Sequence, residues 1–539
     1  MKPSSEGGRS ASSWIRGILA LLVATGLLSL ILEASSLDYA PHLRRFSSTA
    51  GSTAGEHLST SDDNALQFAM QQRLAIESPE PFGTETETET EAESEVPAED
   101  LHHLSLLHGA CLGNRDAIVS WQFGAPGADQ FDSERNEATL IHQDDPQLLE
   151  KLRRCPDVDL FLPSEVRGNG YCEDSMAYAK FLQARLLPRW AMDVKVFDPE
   201  LGRDVDYFEL CPKTPVIFFN HYWDNLPGDA RWPADKPVWL MPNIEMWELN
   251  EDFFWRVDAV LCKTQVCKER MSKWFEQEGN PRGAKVFYTK HTSSDQAGFA
   301  RKVLGEEAVA PKDFEQIRFV HTVGGSYWKG TRQWAYDGMF HGQYATRIDN
   351  SQITLTTDEV DALEFSKKMA EASFFLCPSV IEGYGHYMNQ ARAAGGVVVT
   401  TDIAPMNELI AGDDMGIKVN ARTMKDSKQF LGGGNKGRHA LRDVDGMVAQ
   451  FTGRKLCNAV DKLINETTPE QRAQMGERAR LQYHADTKFF ARAMRKLRVL
   501  ARETAGVAET ENESTAEAVK EKAVDDTPAP GNLRGDPGA

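Results

Sequence analysis

Short apolar runs alternate with amphipathic stretches from residue 157 to residue 293 of the chain. Each run is bounded by proline, glycine or polar residues and is too short for a helix, which predicts buried strands: DLFL, VKVF, VIFF, VWLM, AVLC and KVFY. Helical periodicity lies over residues 175–187 and 268–277, and residues 297–313 read as a linker. Because buried parallel strands appear as nearly continuous apolar runs, this pattern predicts a parallel sheet covered on both faces.

The same alternation restarts at residue 317. It predicts a strand within 317–326 and further strands at 353–357, 372–379 and 395–402, with helices ending near Phe340, over 358–372, and at 469–483 and 487–503. The fold class predicted is α/β, with two doubly wound, Rossmann-like domains in tandem that face a cleft. In such sheets, ligands bind outside the carboxyl ends of the strands.

The ends of the chain differ from this middle. An apolar run at 17–32 follows Lys2, Arg9 and Arg16, which predicts a signal-anchor with a cytoplasmic N-terminus and a lumenal remainder; a cleaved signal peptide, and so a secreted protein, is the alternative. The predicted organisation is a tail (1–16), an anchor (17–34), an acidic disordered stem (35–100), an N-terminal domain (101–310), a C-terminal domain (311–485), a closing helix (486–503) and an acidic tail (504–539).

Charge and cysteine content narrow the function classes. The net charge of −20 comes mostly from residues 77–100, with ten acids and no base, and from residues 503–539, with nine acids and three bases. The middle is therefore nearly neutral, and without a basic stripe a nucleic-acid partner is not expected. No two of the eight cysteines are spaced as CxxC. Cys262 and Cys377, inside apolar strands, are expected to be thiols, and one or two disulfides are expected among Cys111, Cys155, Cys172 and Cys211, with the pairing open.

The sequence Glu382-Gly383-Tyr384-Gly385 lies where a predicted strand ends and a helix begins near His386. Glycine lets backbone N–H groups approach an anion closely, and the first turn of a helix attracts negative charge. The glutamate cannot bind phosphate, but its carboxylate is expected in a solvent-facing loop, where it can accept hydrogen bonds from sugar hydroxyls. A sugar attached to a diphosphate uses both features.

A second loop follows the first strand of the same domain. In this stretch, HTVGGSYWKGT, Gly324 and Gly325 open the backbone, and Lys329 supplies a positive charge suited to a pyrophosphate. On its own, such a loop would be an ordinary turn with a solvated lysine. Its place in the domain that carries Glu382 favours a phosphate-binding role.

Residues 315–485 resemble the nucleotide-sugar domain of retaining GT-B glycosyltransferases of the family-4 type. The resemblance is carried by HTVGGSYWKGT, FFLCPS, EGYGHYMNQARAAGGVVVTTD and APMNELI. It implies a donor sugar held by Glu382, phosphates near Gly324, Gly325 and Lys329, and donor contacts from four further residues, Gly383, Tyr384, Gly385 and His386. The donor would be a UDP- or GDP-sugar, transferred with retention and without a metal or other cofactor.

The sequence departs from the family pattern at two places. Gln390 stands where the family has a second acid, which accepts hydrogen bonds from the ribose, and no arginine precedes Lys329. A glutamine offers one acceptor oxygen and no charge, so weaker ribose binding is expected, and Gln390→Glu is expected to raise donor affinity by about 1 kcal/mol. A non-catalytic protein that binds sugar or nucleotide, and a sugar-nucleotide epimerase, are the alternative functions.

The N-terminal domain offers candidates for the other side of the cleft. Gly168, Asn169 and Gly170 follow its first strand, and His221 follows a later one, so both loops are expected at the ligand-binding edge, with His221 as a candidate catalytic residue. The acceptor would be a glycan, protein or lipid. Three Asp-x-Asp patterns, beginning at Asp157, Asp204 and Asp443, do not follow strands as the metal site of a GT-A transferase does, and are expected to be incidental.

Overall fold

A seven-stranded sheet forms the N-terminal half, residues 95–288, of the computed structural model, which describes residues 95–168, 170–221, 223–322 and 361–506. Its strands are β1 (Val119–Ser120), β2 (Asp159–Phe161), β3 (Arg185–Leu187), β6 (Val216–Phe219), β7 (Val238–Met241), β8 (Ala259–Cys262) and β9 (Lys285–Tyr288). They lie in the order β1-β3-β2-β6-β7-β8-β9, and every pairing is parallel except that of β1 with β3. The strand order reverses direction between β2 and β6, which makes their carboxyl ends the switch point where such sheets bind ligands.

Among the described residues, a four-stranded parallel sheet in the order β10-β11-β12-β13 forms the C-terminal half, residues 296–322 and 361–466. Its strands are β10 (Phe319–Val320), β11 (Phe374–Cys377), β12 (Val397–Thr401) and β13 (Gly416–Val419). Two-stranded antiparallel pairs are made by β4 (Lys195–Asp198) with β5 (Arg203–Asp206), and by β14 (Arg422–Met424) with β15 (Val448–Gln450). The predicted α/β class with parallel sheets is confirmed.

Helices cover both sheets. They are α1 (Ala98–Gly113), α2 (Ser133–Glu137), α3 (Leu148–Arg153), α4 (Tyr171–Leu182), α5 (Arg189–Asp193), α6 (Tyr207–Leu210), α7 (Glu251–Trp255), α8 (Gln265–Glu278), α9 (Gln296–Leu304), α10 (Ala362–Glu371), α11 (His386–Ala393), α12 (Gly453–Glu466) and α13 (Pro469–Ala505). Neighbouring residues of the strands enter opposite cores: Phe161 and Phe218 pack in one apolar cluster, and Leu160 and Ile217 in the other. Burial on both faces is the reason that these strands read as unbroken apolar runs.

Four expectations about the elements are corrected. Arg185–Leu187, predicted as helix, is strand β3, because Gln183 takes a left-handed conformation (φ 54°) and ends α4 at Leu182. The VKVF run lies in the β4–β5 hairpin and not in the parallel sheet. Residues 296–304, within the predicted linker, form α9, and the two predicted C-terminal helices are one helix of 37 residues, α13.

The segment 425–447 connects β14 and β15 and packs against the N-terminal half. Phe430 stacks on Phe254 with ring centroids 5.8 Å apart, and the Trp274 indole N–H donates to the carbonyl oxygen of His439 at 2.7 Å. Leu431, Ala440, Leu441 and Met447 belong to the same apolar cluster as strands β2, β6, β7 and β8. The C-terminal half therefore contributes side chains to the core of the N-terminal one.

Three disulfides join cysteines of the N-terminal half: Cys111–Cys172, Cys155–Cys211 and Cys262–Cys267. One or two bridges were expected among the first four cysteines, and two are present. The expected thiol at Cys262 is wrong, because Cys267 in the first turn of α8 lies beside the end of β8 and pairs with it. Cys377 is a buried thiol, as expected.

Several predictions fall outside the described residues. These are the anchor, most of the stem, the C-terminal tail, the strand at 353–357 and the loop with Gly324, Gly325 and Lys329. Within the described residues, no helix is both long and apolar enough to span a bilayer.

Candidate functional site

Two loops of the N-terminal half meet at the switch point, as the sequence predicts. Gly168 (φ 120°) and Gly170 (φ 91°) follow β2 and precede α4, and their left-handed conformations are strained for any residue with a side chain. Asn220, which follows β6 and is fully buried, donates from Nδ2 to the hydroxyl oxygen of Tyr171 at 2.5 Å. His221 follows it and is half-buried, and desolvation lowers the pKa of its imidazole. Asn169 lies outside the described residues.

Asn220 also orders the loop after β7. Its Oδ1 accepts a hydrogen bond from the backbone N–H of Asn243, so one amide side chain connects the loops after β2, β6 and β7. Asn220 was not among the predicted site residues, whereas the histidine beside it was. Its position in the sequence was an indication, because an asparagine directly after an apolar strand tolerates the left-handed conformation that Asn220 adopts (φ 53°).

Glu382 lies at the carboxyl end of β11, as expected, but its side chain is only 1% exposed. Ser379 Oγ donates to Glu382 Oε1 at 2.5 Å and lies 2.6 Å from the hydroxyl oxygen of Tyr387. Together with burial, the charge of Glu382 raises the pKa of the Cys377 thiol and of the Tyr387 hydroxyl well above their usual values. The sequence suggested a solvent-facing carboxylate. That expectation is wrong, because the carboxyl group is buried.

The two glycines of the motif serve different purposes. Gly385 is left-handed (φ 103°) and immediately precedes α11. Gly383 lies against the loop after β7, where an added Cβ would be 2.5 Å from Asn243 Oδ1 and 2.6 Å from Glu245 Oε2. The motif of the C-terminal half therefore contacts the carboxyl edge of the N-terminal sheet directly.

The side chains of the motif and of α11 make hydrogen bonds to other residues of the protein. The Tyr384 hydroxyl donates to the carbonyl oxygen of His291 at 2.9 Å. His291 lies in the segment between β9 and α9, residues 289–295, which is called the linker from here on and differs from the linker predicted at 297–313. His386 Nε2 lies 2.9 Å from Asp174 Oδ1, and Gln390 Nε2 donates weakly to Glu173 Oε1 (3.4 Å) and Ser294 Oγ (3.5 Å). Two residues that the resemblance assigns to the donor, His386 and Gln390, thus contact the first turn of α4 through their side chains.

Glu173 and Asp174 form a buried anionic pair at this contact. Burial raises the pKa of each carboxyl, but in Glu173 the charges of His108 and His386 and hydrogen bonds from Ser294 outweigh burial and lower it. In Asp174, the charges of Lys263, whose Nζ lies at 2.7 Å, and of His386 outweigh burial and bring the pKa well below its usual value. Both groups are therefore ionised at neutral pH. Their signal in the sequence was an adjacent acid pair just after the Gly-x-Gly turn.

Glu408, in the Pro-x-x-Glu turn of the family pattern, binds the first turn of α8. Its two carboxylate oxygens accept from the backbone N–H groups of Gln265 at 2.7 Å and Val266 at 3.0 Å. Those N–H groups have no partner within the helix, and the helix dipole favours an anion there. The turn thus joins the C-terminal half to the N-terminal one by capping a helix.

Replacing Glu408 by alanine is expected to lower the free energy of unfolding by about 1–2 kcal/mol, the usual cost of losing a helix cap. Urea denaturation followed by circular dichroism measures the loss, with Glu364→Ala, an exposed acid on α10, as the control. Equal stability of the two variants would contradict the capping role.

Each Asp-x-Asp pattern has structural contacts. Asp157 pairs with Arg498 and Arg502, and Asp159 with Arg185. Asp206 caps α6, and the backbone carbonyl groups of Asp443 and Asp445 accept hydrogen bonds from α8. The third pattern lies outside any helix.

Comparisons with known proteins bear on structure alone. No protein-family description matches the chain, and no curated protein matches it. Among solved structures, it is similar to sucrose-phosphate synthase from Thermosynechococcus elongatus (10% identity over 66% of this chain and 100% of that one, TM-score 0.40). It is also similar to Anabaena HepE in complex with UDP-glucose (14%, 64% and 99%, 0.38) and to a trehalose 6-phosphate synthase from Burkholderia multivorans (11%, 76% and 84%, 0.37). TM-scores this low carry no argument about function.

Proposed function

We propose that the chain is a glycosyltransferase of the GT-B architecture, which moves a sugar from a UDP- or GDP-sugar to a glycan, protein or lipid acceptor with retention of configuration. The observation that carries the proposal is the contact of the Glu382–Gly385 motif with the switch-point edge of the opposite sheet, at Asn243 and Glu245. A transferase of two facing domains needs its donor motif and its acceptor loops at one place. The contact between Gly383 and that edge provides this arrangement.

The roles follow from the residues. Backbone N–H groups at 383–386 and the first turn of α11 would stabilise the leaving diphosphate, and Glu382 would accept hydrogen bonds from sugar hydroxyls. The acceptor oxygen would bond to the anomeric carbon on the face from which the diphosphate departs, and its proton would pass to a diphosphate oxygen. No protein nucleophile is required. His221, at the edge of the switch point, would contact the acceptor or the reacting sugar.

The proposed compartment is the lumen of the Golgi or the endoplasmic reticulum, with the chain held as a type II membrane protein by the segment at 17–34. Three disulfides support an oxidising compartment, because cytosolic proteins are kept reduced. A cleaved signal and secretion are the alternative.

The rival function, a non-catalytic binding protein, is favoured by one observation. The side chains of His386 and Gln390 are both engaged by α4 and the linker, where a donor would otherwise be contacted. A panel of UDP- and GDP-sugars, with nucleotide release measured with and without candidate acceptor glycans, separates the two functions. Release with at least one donor supports the transferase; binding of a nucleotide without release under any condition supports the rival.

Lys329→Ala is expected to weaken UDP or GDP binding about tenfold at low salt, because the variant would lose the contact between the lysine charge and the phosphates. The difference should shrink as sodium chloride is added, since ions screen such contacts. Calorimetric titration of both forms at two salt concentrations measures it. Identical affinities would show that the phosphates bind elsewhere.

A further inference from the structure

Three potential metal ligands from three separate parts of the chain meet beside the motif. They are Asp174 in the first turn of α4, His291 in the linker and His386 at the start of α11. The Oδ1 atom of Asp174 lies 3.1 Å from His291 Nε2 and 2.9 Å from His386 Nε2. All three ligand atoms lie within 4.8 Å of one another.

The orientation of His386 is that of a metal-binding imidazole. Its Nδ1 lies 2.9 Å from Ser293 Oγ, so an Nδ1–H that donates to the serine leaves the lone pair of Nε2 directed at Asp174. Metal-bound histidines almost always donate their second ring nitrogen in this way, which fixes the tautomer and the ring orientation.

His291 supplies an independent observation. It is 1% exposed, and neither of its ring nitrogens has a hydrogen-bond partner of adequate geometry among the described residues. Buried polar groups without partners are rare, because each one costs about 1–3 kcal/mol. An ion bonded to Nε2 would remove that cost.

The charge of the cluster suits a dication. Asp174 and the neighbouring Glu173 place two buried carboxylates at the cluster, where Lys263 Nζ lies 2.7 Å from Asp174 Oδ1 and His108 Nδ1 lies 3.1 Å from Glu173 Oε2. An ion that takes Oδ1 would leave the second carboxylate oxygen of Asp174 for the ammonium group. The lysine would then remain as a counter-charge and need not leave the site.

We propose that Asp174, His291 and His386 bind one divalent transition-metal ion of the zinc class. Zinc bonds of about 2.0–2.1 Å in a tetrahedron place ligand atoms about 3.4 Å apart, close to the two shorter separations in the cluster. Water would complete the coordination. The ion would be structural: it would tie α11, and with it the Glu382–Gly385 motif, to the N-terminal half and the linker, without a part in sugar transfer.

The test uses tag-free protein that has been treated with a chelator and dialysed. Zinc sulfate is titrated against a competing chromogenic chelator, and cobalt chloride is titrated with the visible absorption recorded. We expect one zinc ion per chain, and the absorption bands of four-coordinate cobalt. His386→Gln should weaken zinc binding at least about a hundredfold, because losing a group that only orients a metal ligand already costs up to about that much.

The matched control is His439→Gln, which removes a histidine that pairs with Glu278 elsewhere in the protein. This variant should bind zinc as the unaltered chain does. Asp174→Asn, which keeps the shape of the side chain, provides a second loss variant if His386→Gln misfolds. Less than one zinc per chain, no cobalt bands, or equal zinc affinity in the His386 and His439 variants would each overturn the proposal, whether or not the protein transfers sugar.

Discussion

Glu382→Gln is expected to lower the rate of sugar transfer by about 10²–10³-fold. Glutamine keeps the size of the side chain and a hydrogen-bond acceptor, so Ser379 retains a partner, but the charge that would hold the sugar hydroxyls is lost. Hydrogen bonds to a charged group are about twice as strong as neutral ones, and an acceptor in a dry site acts with little screening. Losses of this size are typical when one preorganised polar group is removed from an active site.

Nucleotide release from the preferred donor, with circular dichroism to verify the fold, measures this effect. Glu364→Gln, a change of the same chemistry at an exposed acid of α10, serves as the control. If Glu382→Gln turned over at the rate of the control, the assignment of the donor site would be wrong.

Gln390→Glu is expected to destabilise the protein by about 2–3 kcal/mol at neutral pH. The new carboxylate would lie beside buried Glu173, 3.4 Å from the present amide nitrogen, and two buried carboxylates cannot both ionise without cost. Sequence alone predicts higher donor affinity for this variant. The structure adds an opposing cost at a contact that no sequence pattern disclosed.

Chemical unfolding of Gln390→Glu at several pH values tests this expectation. The pKa of the new pair is raised in the folded state, so the loss is full at pH values above it. The loss disappears as the pH falls below the unfolded-state value of about 4.3. The double variant Glu173→Gln/Gln390→Glu exchanges the two groups, and it should recover most of the stability because only one carboxylate remains. A loss that the exchange did not relieve would contradict the like-charge explanation.

The same exchange variant isolates the effect on the donor. In this variant the repulsion between two buried carboxylates is absent. Any gain in its nucleotide affinity over the unaltered chain would therefore come from the ribose contact that the resemblance implies for position 390. Calorimetry with UDP and GDP on the unaltered and exchanged chains measures it.

Strand positions were predictable where burial is complete. VIFF, VWLM and AVLC lie in the interior on both faces of the sheet, so no polar residue interrupts them. VKVF was wrongly assigned to the parallel sheet, although its alternation of polar and apolar residues is typical of a hairpin with one exposed face. The end of helix α4 before Gln183 could not be predicted, because the left-handed residue that ends the helix is neither glycine nor asparagine.

The site was predictable in outline only. Glycine spacing placed Glu382 at the end of a strand, since that constraint is local. The contacts of His386 with Asp174, of Gly383 with Asn243 and of Glu408 with α8 depend on how the two halves pack together. Periodicity and spacing describe one segment at a time, so residues some 140 to 210 positions apart gave no sign of meeting.

The 37-residue helix α13 has a thermodynamic consequence. At about 1.5 Å per residue it is about 55 Å long, and it continues past residue 485, where the sequence suggested a domain boundary. Tyr483 donates to the linker and packs with Ala393 of the C-terminal half, while Phe490, Met494 and Leu497 fill the core of the N-terminal half. A chain ended at 485 would expose an apolar stripe on the remaining N-terminal sheet. Neither half is thus an autonomous folding unit, and the two should melt together in one cooperative transition.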